Sequence, residues 1–403
     1  MLLQHQSVAE FAARLRDGGV SVVVSVAPQS YAALATRLQV PLAQACDALH
    51  RLLARVGVRA VFDTAVCREL SLLETAAELV ARLRGAPGSG PLPLLASACP
   101  GWVCYAEKSC PQVLPHLSRV KSPQAVAGTL VKRMWAARLG LPAGRVYHAS
   151  IAPCYDKKLE ASRDDFTTES EDAGATAGAA HIPETDCVLT TGEVWTELMP
   201  SAPPAEADGA PCACALPWLA VDVASGQPYN APGGGSGGYA DAAARGAAAA
   251  LWGVHMLGDA PLPWVQVRNA DFLELELQPP PGAGGRALRF AAVYGFRNIQ
   301  SVVRQMKRGA CSYDYVEVMA CPGGCLNGGG QGAPPPGLTP QQALAAAGEV
   351  YGQAQVRLPG SHPLVGDVYS WLGGGVGSPE AARTLHTQFH VREKTVTAVL
   401  NNW

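Results

Sequence analysis

Residues 321–330, CPGGCLNGGG, restrict the fold of this chain more than any other segment. The preceding residues, 313–319, form a β-rich run that predicts a strand, and the Pro-Gly-Gly after Cys321 predicts a turn at its end. Cys321 and Cys325 can then face one point. Because glycine has no Cβ, the backbone here can pass close to a bulky group. The segment therefore predicts half of a four-thiolate site, whose other two sulfurs must come from elsewhere in the chain.

Two more predicted strands lead to a cysteine that neighbours a proline. Residues 92–97 lead to Cys99, and residues 146–151 lead to Cys154. The carboxyl ends of the strands in an open α/β sheet lie at one edge, and ligands bind there. We therefore expect four thiolates in a cleft between two lobes, with Cys99 and Cys154 from the first half of the chain and Cys321 and Cys325 from the second.

Three interpretations of these cysteines stay open on spacing alone. A cubane iron–sulfur cluster takes four thiolates, one for each iron. Zinc also accepts four thiolates, and four cysteines can simply pack as small apolar residues. The neighbouring prolines stiffen the loops, and glycine amides are free to donate to cluster sulfurs. This repeated context favours a shared site over four unrelated thiols.

Short apolar runs alternate with amphipathic segments in both halves of the chain, which is the pattern of parallel α/β sheets flanked by helices. Residues 20–26 are apolar without alternation and predict a strand that is buried on both faces. Ser122 and Pro123 predict the start of a helix that ends near Gly140. We expect a first α/β lobe at 1–199, a flexible Pro/Ala/Gly-rich connection at 200–246, a second α/β lobe at 247–378 and a tail at 379–403 that packs on the body.

The overall charge favours protein partners. The chain has 31 Lys and Arg against 33 Asp and Glu, so its formal net charge of −2 gives no reason to expect nucleic acid or an acidic membrane surface as a ligand. No apolar run is long enough to span a bilayer, and the amino end lacks the features of a secretory signal. A cytosolic location is the default expectation, and in that compartment the 12 cysteines are not expected to form disulfides.

Segments at 97–108, 152–163, 185–194 and 317–331, which include SACPGWVCYAEK and EVMACPGGCLNGGGQ, together resemble the iron-only hydrogenase-like family. That family includes the nuclear prelamin A recognition factor-like proteins, which are cytosolic iron–sulfur assembly factors. The resemblance extends from about residue 20 over nearly the whole chain. It implies the two-lobed α/β fold of the hydrogenase catalytic domain with a [4Fe-4S] cluster in the cleft. The family's cluster ligands match Cys99, Cys154, Cys321 and Cys325.

Two departures from the hydrogenase pattern imply a protein without hydrogenase activity. Hydrogenases carry a proton-donating cysteine where this chain has Ala98, and a methionine where it has Ala152; Lys157 alone matches an active-site lysine. The resemblance therefore implies a non-catalytic adaptor between the early cytosolic iron–sulfur scaffold and the targeting complex that matures client proteins. Its expected location is the cytoplasm, with the nucleus as a second site. The alternatives are a true hydrogenase and a prelamin-binding nuclear protein.

Both ends of the chain carry expectations of their own. Relatives bind a second four-iron cluster through closely spaced amino-terminal cysteines, and this chain begins just downstream of that group, so we expect the second site to be missing. Cys46 and Cys67 are predicted to be core thiols. A carboxyl-terminal tryptophan looks like the family's recognition signal for the targeting complex, which makes Trp403 a candidate partner-binding residue.

Other cysteines and histidines are interpreted as structural or incidental. Cys104 and Cys110 do not meet ferredoxin spacing and are predicted to pack in a helix or loop. Cys212 and Cys214 fall in the Pro/Ala-rich connection and are expected to be incidental. The pair formed by residues 386 and 390 has metal-binding spacing only if it lies on a helix, and we predict a structural role for both histidines.

Overall fold

The computed structural model of the protein describes residues 4–170, 180–201, 228–258 and 260–392. Its strands are β1 (Ser21–Val26), β2 (Ala60–Asp63), β3 (Leu94–Ala96), β4 (Val146–Ala152), β5 (Thr167–Ser170), β6 (Ala180–Pro183), β7 (Cys187–Thr190), β8 (Tyr229–Asn230), β9 (Val265–Gln266), β10 (Phe272–Leu277), β11 (Leu288–Tyr294), β12 (Tyr315–Met319) and β13 (Gln355–Val356). Its α-helices are α1 (Gln4–Arg16), α2 (Pro28–Leu38), α3 (Leu42–Arg55), α4 (Ala65–Leu83), α5 (Pro100–Ser109), α6 (Pro123–Thr129), α7 (Ala136–Arg138), α8 (Asp156–Ala161), α9 (Thr191–Glu193), α10 (Tyr239–Trp252), α11 (Phe296–Lys307), α12 (Pro340–Tyr351), α13 (Pro363–Leu372) and α14 (Pro379–Leu385).

Two main β-sheets carry these elements, which confirms the predicted α/β class. The first sheet has the strand order β2-β1-β4-β7, and all its pairings are parallel. The second has the order β3-β12-β11-β10-β9, in which β10 pairs antiparallel with both β11 and β9, while the β3–β12 and β12–β11 pairs are parallel. β1 is buried along nearly its whole length, as its unbroken apolar run predicts. No helix of the described segments is long and apolar enough to cross a membrane.

Strand β3 does not belong to the sheet that its place in the chain suggests. It lies between β2 and β4 in sequence, yet it pairs in parallel with β12, with Leu94 opposite Tyr315. The lobe boundaries expected from sequence, 1–199 and 247–378, therefore do not match sheet membership at this strand. The chain passes from the first sheet to the second and back before residue 146. The sequence does not show this crossover, because a three-residue apolar strand fits equally well beside any buried neighbour.

The alanine-rich part of the expected flexible connection is ordered instead. Helix α10 begins at Tyr239, and its first half is almost entirely buried against α4. A Cβ on Gly246 would lie 2.8 Å from the Cβ of Ala76, so the two helices approach as closely as small residues permit. The small residues of this segment predict flexibility, whereas in the structure they allow close helix packing. Residues 202–227 of the connection lie outside the described part of the chain.

Helix α4 lies at the centre of the molecule. Its residues contribute to two of the three apolar cores, Leu72 and Leu79 to the core around the second sheet and Leu70 to a core of the first. The sequence predicts an amphipathic helix at 70–84, but α4 is buried nearly all round. Its buried charges are paired; the Glu78 carboxylate, for example, accepts a 2.7 Å hydrogen bond from Arg82.

The helix predicted to begin at Ser122 does so. The Ser122 hydroxyl accepts a 3.3 Å hydrogen bond from the backbone N–H of Ala125, and Pro123 occupies the first helical position. A π-helical stretch at Leu130–Trp135 interrupts the regular helix before α7. Gly140 follows with a φ of +67°, a left-handed conformation that suits glycine at a helix end.

Residues 379–392 lie along the body and are held there by a buried carboxylate. Glu107 on α5 accepts hydrogen bonds from both terminal nitrogens of Arg163, at 3.0 and 2.8 Å, and one of 3.1 Å from the backbone N–H of His390. Arg392 lies 3.3 Å from the same carboxylate. Because the Glu107 side chain is fully buried, these cations and donors replace the water it has lost.

Replacing Glu107 with glutamine is expected to lower the free energy of unfolding at pH 7 by about 2 kcal/mol, because the buried Arg163 loses one of its two carboxylate partners and keeps Asp165. Burial acts to raise the pKa of Glu107, but hydrogen bonds from Arg163 and His390 and the nearby cations lower it overall. A carboxylate with a lowered folded-state pKa stabilises the protein fully above its unfolded pKa of 4.5, and this contribution disappears as the pH falls.

Denaturant unfolding of wild type and of Glu107→Gln at pH 7 and pH 4 measures this effect. The difference in free energy of unfolding between the two proteins should be smaller at pH 4, where the Glu107 carboxylate of wild type begins to protonate. Glu349→Gln, on an exposed position of α12, is the matched control and should behave as wild type at both pH values. An equal difference at both pH values would contradict the assigned role of the charge.

Candidate metal centre

Cys99 stands between β3 and α5 and points at the loop that follows β12. The Ser97 hydroxyl donates to the carbonyl of Val318 and accepts a 3.0 Å hydrogen bond from the backbone N–H of Cys99. The Cys99 sulfur in turn accepts from the backbone N–H of Ala320 at 3.5 Å. Because Ala320 precedes Cys321, the pairing of β3 with β12 places these two cysteines side by side.

Cys154 follows β4 and is the one candidate ligand that comes from the first sheet. Its sulfur accepts a 3.4 Å hydrogen bond from the backbone N–H of Asp156. The Pro153 carbonyl accepts a 2.8 Å hydrogen bond from the backbone N–H of Gly330, so the second glycine run lies directly on this loop. A Cβ on Gly328 would lie 2.2 Å from that carbonyl oxygen, so only glycine allows the two loops to approach this closely.

The turn that carries Cys321 and Cys325 depends on glycine conformations, as the sequence predicts. Gly323 and Gly324 have φ values of +71° and +70°. The backbone N–H of Gly323 donates to Asp271 at 2.6 Å, and that of Cys325 donates to the Ser236 hydroxyl at 3.1 Å. These contacts hold both sulfurs on the same side of the loop as Cys99.

The four thiols influence one another electrostatically. Burial is the largest cause that raises the pKa of each. The pKa of Cys154 rises to about 12, with Asp156 and the neighbouring thiols adding to the effect of burial. After burial, Cys99 is the largest cause of the raised pKa of both Cys321 and Cys325. At neutral pH the free thiols therefore keep their protons, and a metal that binds them has to displace those protons.

In the structure the four predicted cysteines lie near enough to affect one another's pKa values, but they are divided between the sheets differently from the prediction. One comes from the first sheet and three come from the second, because β3 joins β12. Within the described segments, no three His, Cys, Asp or Glu side chains converge closely enough to ligate one metal ion. A cubane places each thiolate on a separate iron, so its ligands surround the cluster rather than meet at one point.

A cavity of about 70 Å³ adjoins Cys325 on the side of the first sheet. Its lining includes Ala98, whose methyl group offers no proton, and Lys157, whose ammonium pairs with the buried carboxylate of Glu160. Arg68 also lines the cavity, and the sequence analysis missed it. It lies on α4, far from any cysteine in sequence, and no local motif marks it.

Several of the remaining cysteines and histidines of the described segments pack in a core or form hydrogen bonds. Cys46 and Cys67 are buried in apolar cores, as predicted, and Cys110 is buried in the core of the second sheet. His386 ends α14 and contacts Glu74 at 2.9 Å, whereas residue 390 lies beyond the helix, so the two histidines do not form a helical metal pair. Residues 212, 214 and 403 lie outside the described part of the chain.

The chain is similar to a known protein family and to solved structures. The model of the family described as the iron only hydrogenase large subunit, C-terminal domain, matches residues 20–329. A solved apo [FeFe]-hydrogenase from Chlamydomonas reinhardtii has a TM-score of 0.75 and 28% sequence identity, and the match covers 96% of this chain and 100% of the hydrogenase chain.

Curated relatives are more similar in sequence than the hydrogenases. The cytosolic iron-sulfur assembly component 3 of Pongo abelii is 43% identical over 95% of this chain and 77% of its own length. The NAR1 protein of Arabidopsis thaliana is 41% identical over 100% of this chain and 85% of its own length. A nuclear prelamin A recognition factor of Danio rerio is 37% identical over 91% of this chain and 76% of its own length. One cysteine loop lies on the first sheet and two lie on the second, and these relatives match nearly the whole chain. The chain therefore belongs to the iron-only hydrogenase large-subunit family, together with the cytosolic iron–sulfur assembly components.

Proposed function

We propose that this protein is a cytosolic iron–sulfur cluster assembly factor that acts as a non-catalytic adaptor. It would connect the early cytosolic scaffold, where clusters are built, to the targeting complex that inserts them into cytosolic and nuclear client proteins. The observation that carries the proposal is sequence identity to proteins named as assembly factors: 43% to a cytosolic iron-sulfur assembly component 3 and 40% to a cytosolic Fe-S cluster assembly factor, each over 95% of this chain. The sequence identity to hydrogenases is lower, at 28%.

Cys99, Cys154, Cys321 and Cys325 are the proposed ligands of one [4Fe-4S] cluster. The backbone N–H groups of Ala320 and Asp156 already point at two of the sulfurs and would stabilise them as thiolates. When bound, such a cluster supplies one-electron redox chemistry and holds the loops of the two sheets together. The chain's own contribution is to orient the four sulfurs and to shield them partly from water.

The cavity beside Cys325 supports an adaptor rather than a hydrogenase. Ala98 cannot transfer a proton there, and the ammonium group of Lys157 already forms an ion pair with Glu160. The cytoplasm is the proposed location. A nuclear prelamin-binding role is the second candidate, since one relative of 37% identity carries that name. Co-precipitation with the carboxyl-terminal segment of prelamin A, together with nuclear enrichment, would favour that alternative.

Anaerobic purification with iron and sulfide analysis is the experiment that tests the site. We expect about four iron and four sulfide per chain and a brown protein with broad visible absorption, whereas a zinc protein would be colourless. The same preparation, supplied with reduced methyl viologen after exposure to hydrogenase maturation proteins, should evolve no hydrogen. Zinc in place of iron would contradict the cluster, and hydrogen evolution would contradict the adaptor role.

Deleting Trp403 is expected to weaken capture of the cytosolic targeting complex by the immobilised protein by about tenfold, because a terminal tryptophan is a strong interface anchor. Iron content should stay at the wild-type level, since the cysteines are untouched. Trp371→Ala, which removes a partly exposed tryptophan from α13, is the control and should leave capture unchanged. Unchanged capture after the deletion would rule out the tail as the recognition signal.

A further inference from the structure

Helix α11 presents an unusually basic face to solvent. Ile299, Val302 and Val303 bury its inner side in the core of the second sheet. The outer side carries four exposed cations, Arg297, Arg304, Lys307 and, at the C-cap, Arg308. We call these four residues the basic face. It extends about 16 Å along the helix at 1.5 Å per residue.

Residues 296–308 contain no Asp or Glu to balance this charge. Among the residues that the structure describes, none supplies an ion pair or a side-chain hydrogen bond to any of the four cations. Some exposed arginines elsewhere on the surface have partners; Arg289, for example, pairs with Glu276 at 3.0 Å. Exposed helix faces are normally stabilised by charges of both signs, so four unpaired cations in a chain of net charge −2 form a distinct local feature.

The amino-terminal end of α11 meets the candidate metal centre. The backbone N–H of Gly295 donates to the carbonyl of Met319 at 2.8 Å, and a Cβ on Gly295 would lie 3.4 Å from Pro322, the residue after Cys321. Phe296 begins the helix with 40% of its surface exposed. Its ring packs edge-on against Tyr105 of α5, the helix that starts at Cys99, with 5.2 Å between ring centroids.

One further cation lies next to α11. Arg268, which precedes β10, is also exposed and donates a 2.7 Å hydrogen bond to the hydroxyl of Ser301. An exposed aromatic side chain therefore lies between the two cysteine loops of the second sheet and a surface with five cations. Complementary charge steers the approach of a partner and sets its orientation, while a partly exposed aromatic ring provides a contact that excludes water.

We propose that the basic face and Phe296 form a docking surface for an acidic protein segment, whose binding brings the partner over the Cys321 loop. The inference rests on the proposed function, because an assembly adaptor needs a partner with access to its cluster. An acidic protein fits better than nucleic acid. The chain as a whole is not basic, and the cations end at an aromatic ring beside the cysteines rather than along a groove.

The test uses the anaerobically purified full chain and a fluorescein-labelled 20-residue polyglutamate as the probe. Fluorescence anisotropy should show salt-sensitive binding to wild type, weakened by about tenfold in the variant with Arg297→Gln, Arg304→Gln, Lys307→Gln and Arg308→Gln. The matched control removes four exposed cations from the first-sheet half of the molecule, at Arg16, Arg55, Arg59 and Arg138. This control should bind the probe as wild type does.

Equal losses in the two quadruple variants, or no loss in either, would overturn the proposal, because binding would then depend on total charge or on another surface. A DNA duplex that binds more tightly than polyglutamate through α11 would also overturn it in favour of nucleic acid. Iron and sulfide content separates the two proposals. If wild-type protein contains no cluster, the proposed function is contradicted. If the protein contains its cluster but binds the probe equally well without the four cations of α11, only the docking surface is contradicted.

Discussion

Cys321→Ala is expected to lower the iron and sulfide content of the anaerobically purified protein by about tenfold or more. The variant should lose the broad visible absorption of a four-iron cluster. The physical reason is that each iron of a cubane needs its own thiolate, and Cys321 is a half-buried thiol beside Cys99. This is the largest effect that the arrangement predicts.

The control for this variant lies ten residues upstream. Cys311 is also half-buried, and it precedes the same strand, β12, but it lies at the end remote from the cleft. Cys311→Ala should keep the wild-type iron content. Circular dichroism on both variants separates loss of the ligand from loss of the fold. Full iron content in a folded Cys321→Ala protein would remove this cysteine from the ligand set.

Gly328→Ala is expected to have the second largest effect, although it changes no ligand. Gly328 has a φ of −61°, which any residue can adopt, so the effect is purely steric. A Cβ on Gly328 would lie 2.2 Å from the carbonyl oxygen of Pro153 and 3.1 Å from the Cβ of Pro153. To relieve this overlap, the loop of Cys154 has to move away from the loop of Cys325. We expect a loss of about 2 kcal/mol in unfolding free energy and a large fall in iron content.

Gly329→Ala is the matched control, one residue along the same glycine run. A Cβ on Gly329 would meet no atom within 4 Å. This variant should therefore retain wild-type stability and iron content. Iron analysis and denaturant unfolding on both proteins decide the matter. Equal behaviour of the two alanine variants would show that the close approach of the loops does not set the geometry of the cluster site.

Features that depend only on residues close together in sequence were predictable from the sequence. The strand predicted at 146–151 is observed at Val146–Ala152, and the helix predicted to start at Ser122 is capped as expected. Buried strands and capped helix starts leave local signals, because apolar runs and capping side chains act within a few residues. The Cys–Pro and Gly-Gly contexts are equally local, which is why the four cysteines could be named.

Arg68 and the basic face could not be identified in this way. Arg68 has no motif around it, and it reaches the cavity only because α4 passes through the centre of the molecule. The charges of α11 are visible in the sequence at 297–308, but the approach of the start of this helix to Pro322 is not. Whether a surface cation lies at a binding site depends on its neighbours in space, and those neighbours are set by the packing of whole helices and strands.

The sequence by itself determined the α/β class, the ends of the strands, the turn glycines and the identity of the four cysteines. Only the tertiary structure decided that β3 pairs with β12, so that the second sheet carries Cys99 beside Cys321 while the first carries Cys154 alone. It also decided that the alanine-rich α10 packs on α4. The reason is that a short apolar strand or a small-residue helix looks the same whichever neighbour it joins, and the choice is made by the shape of the surfaces that close around it.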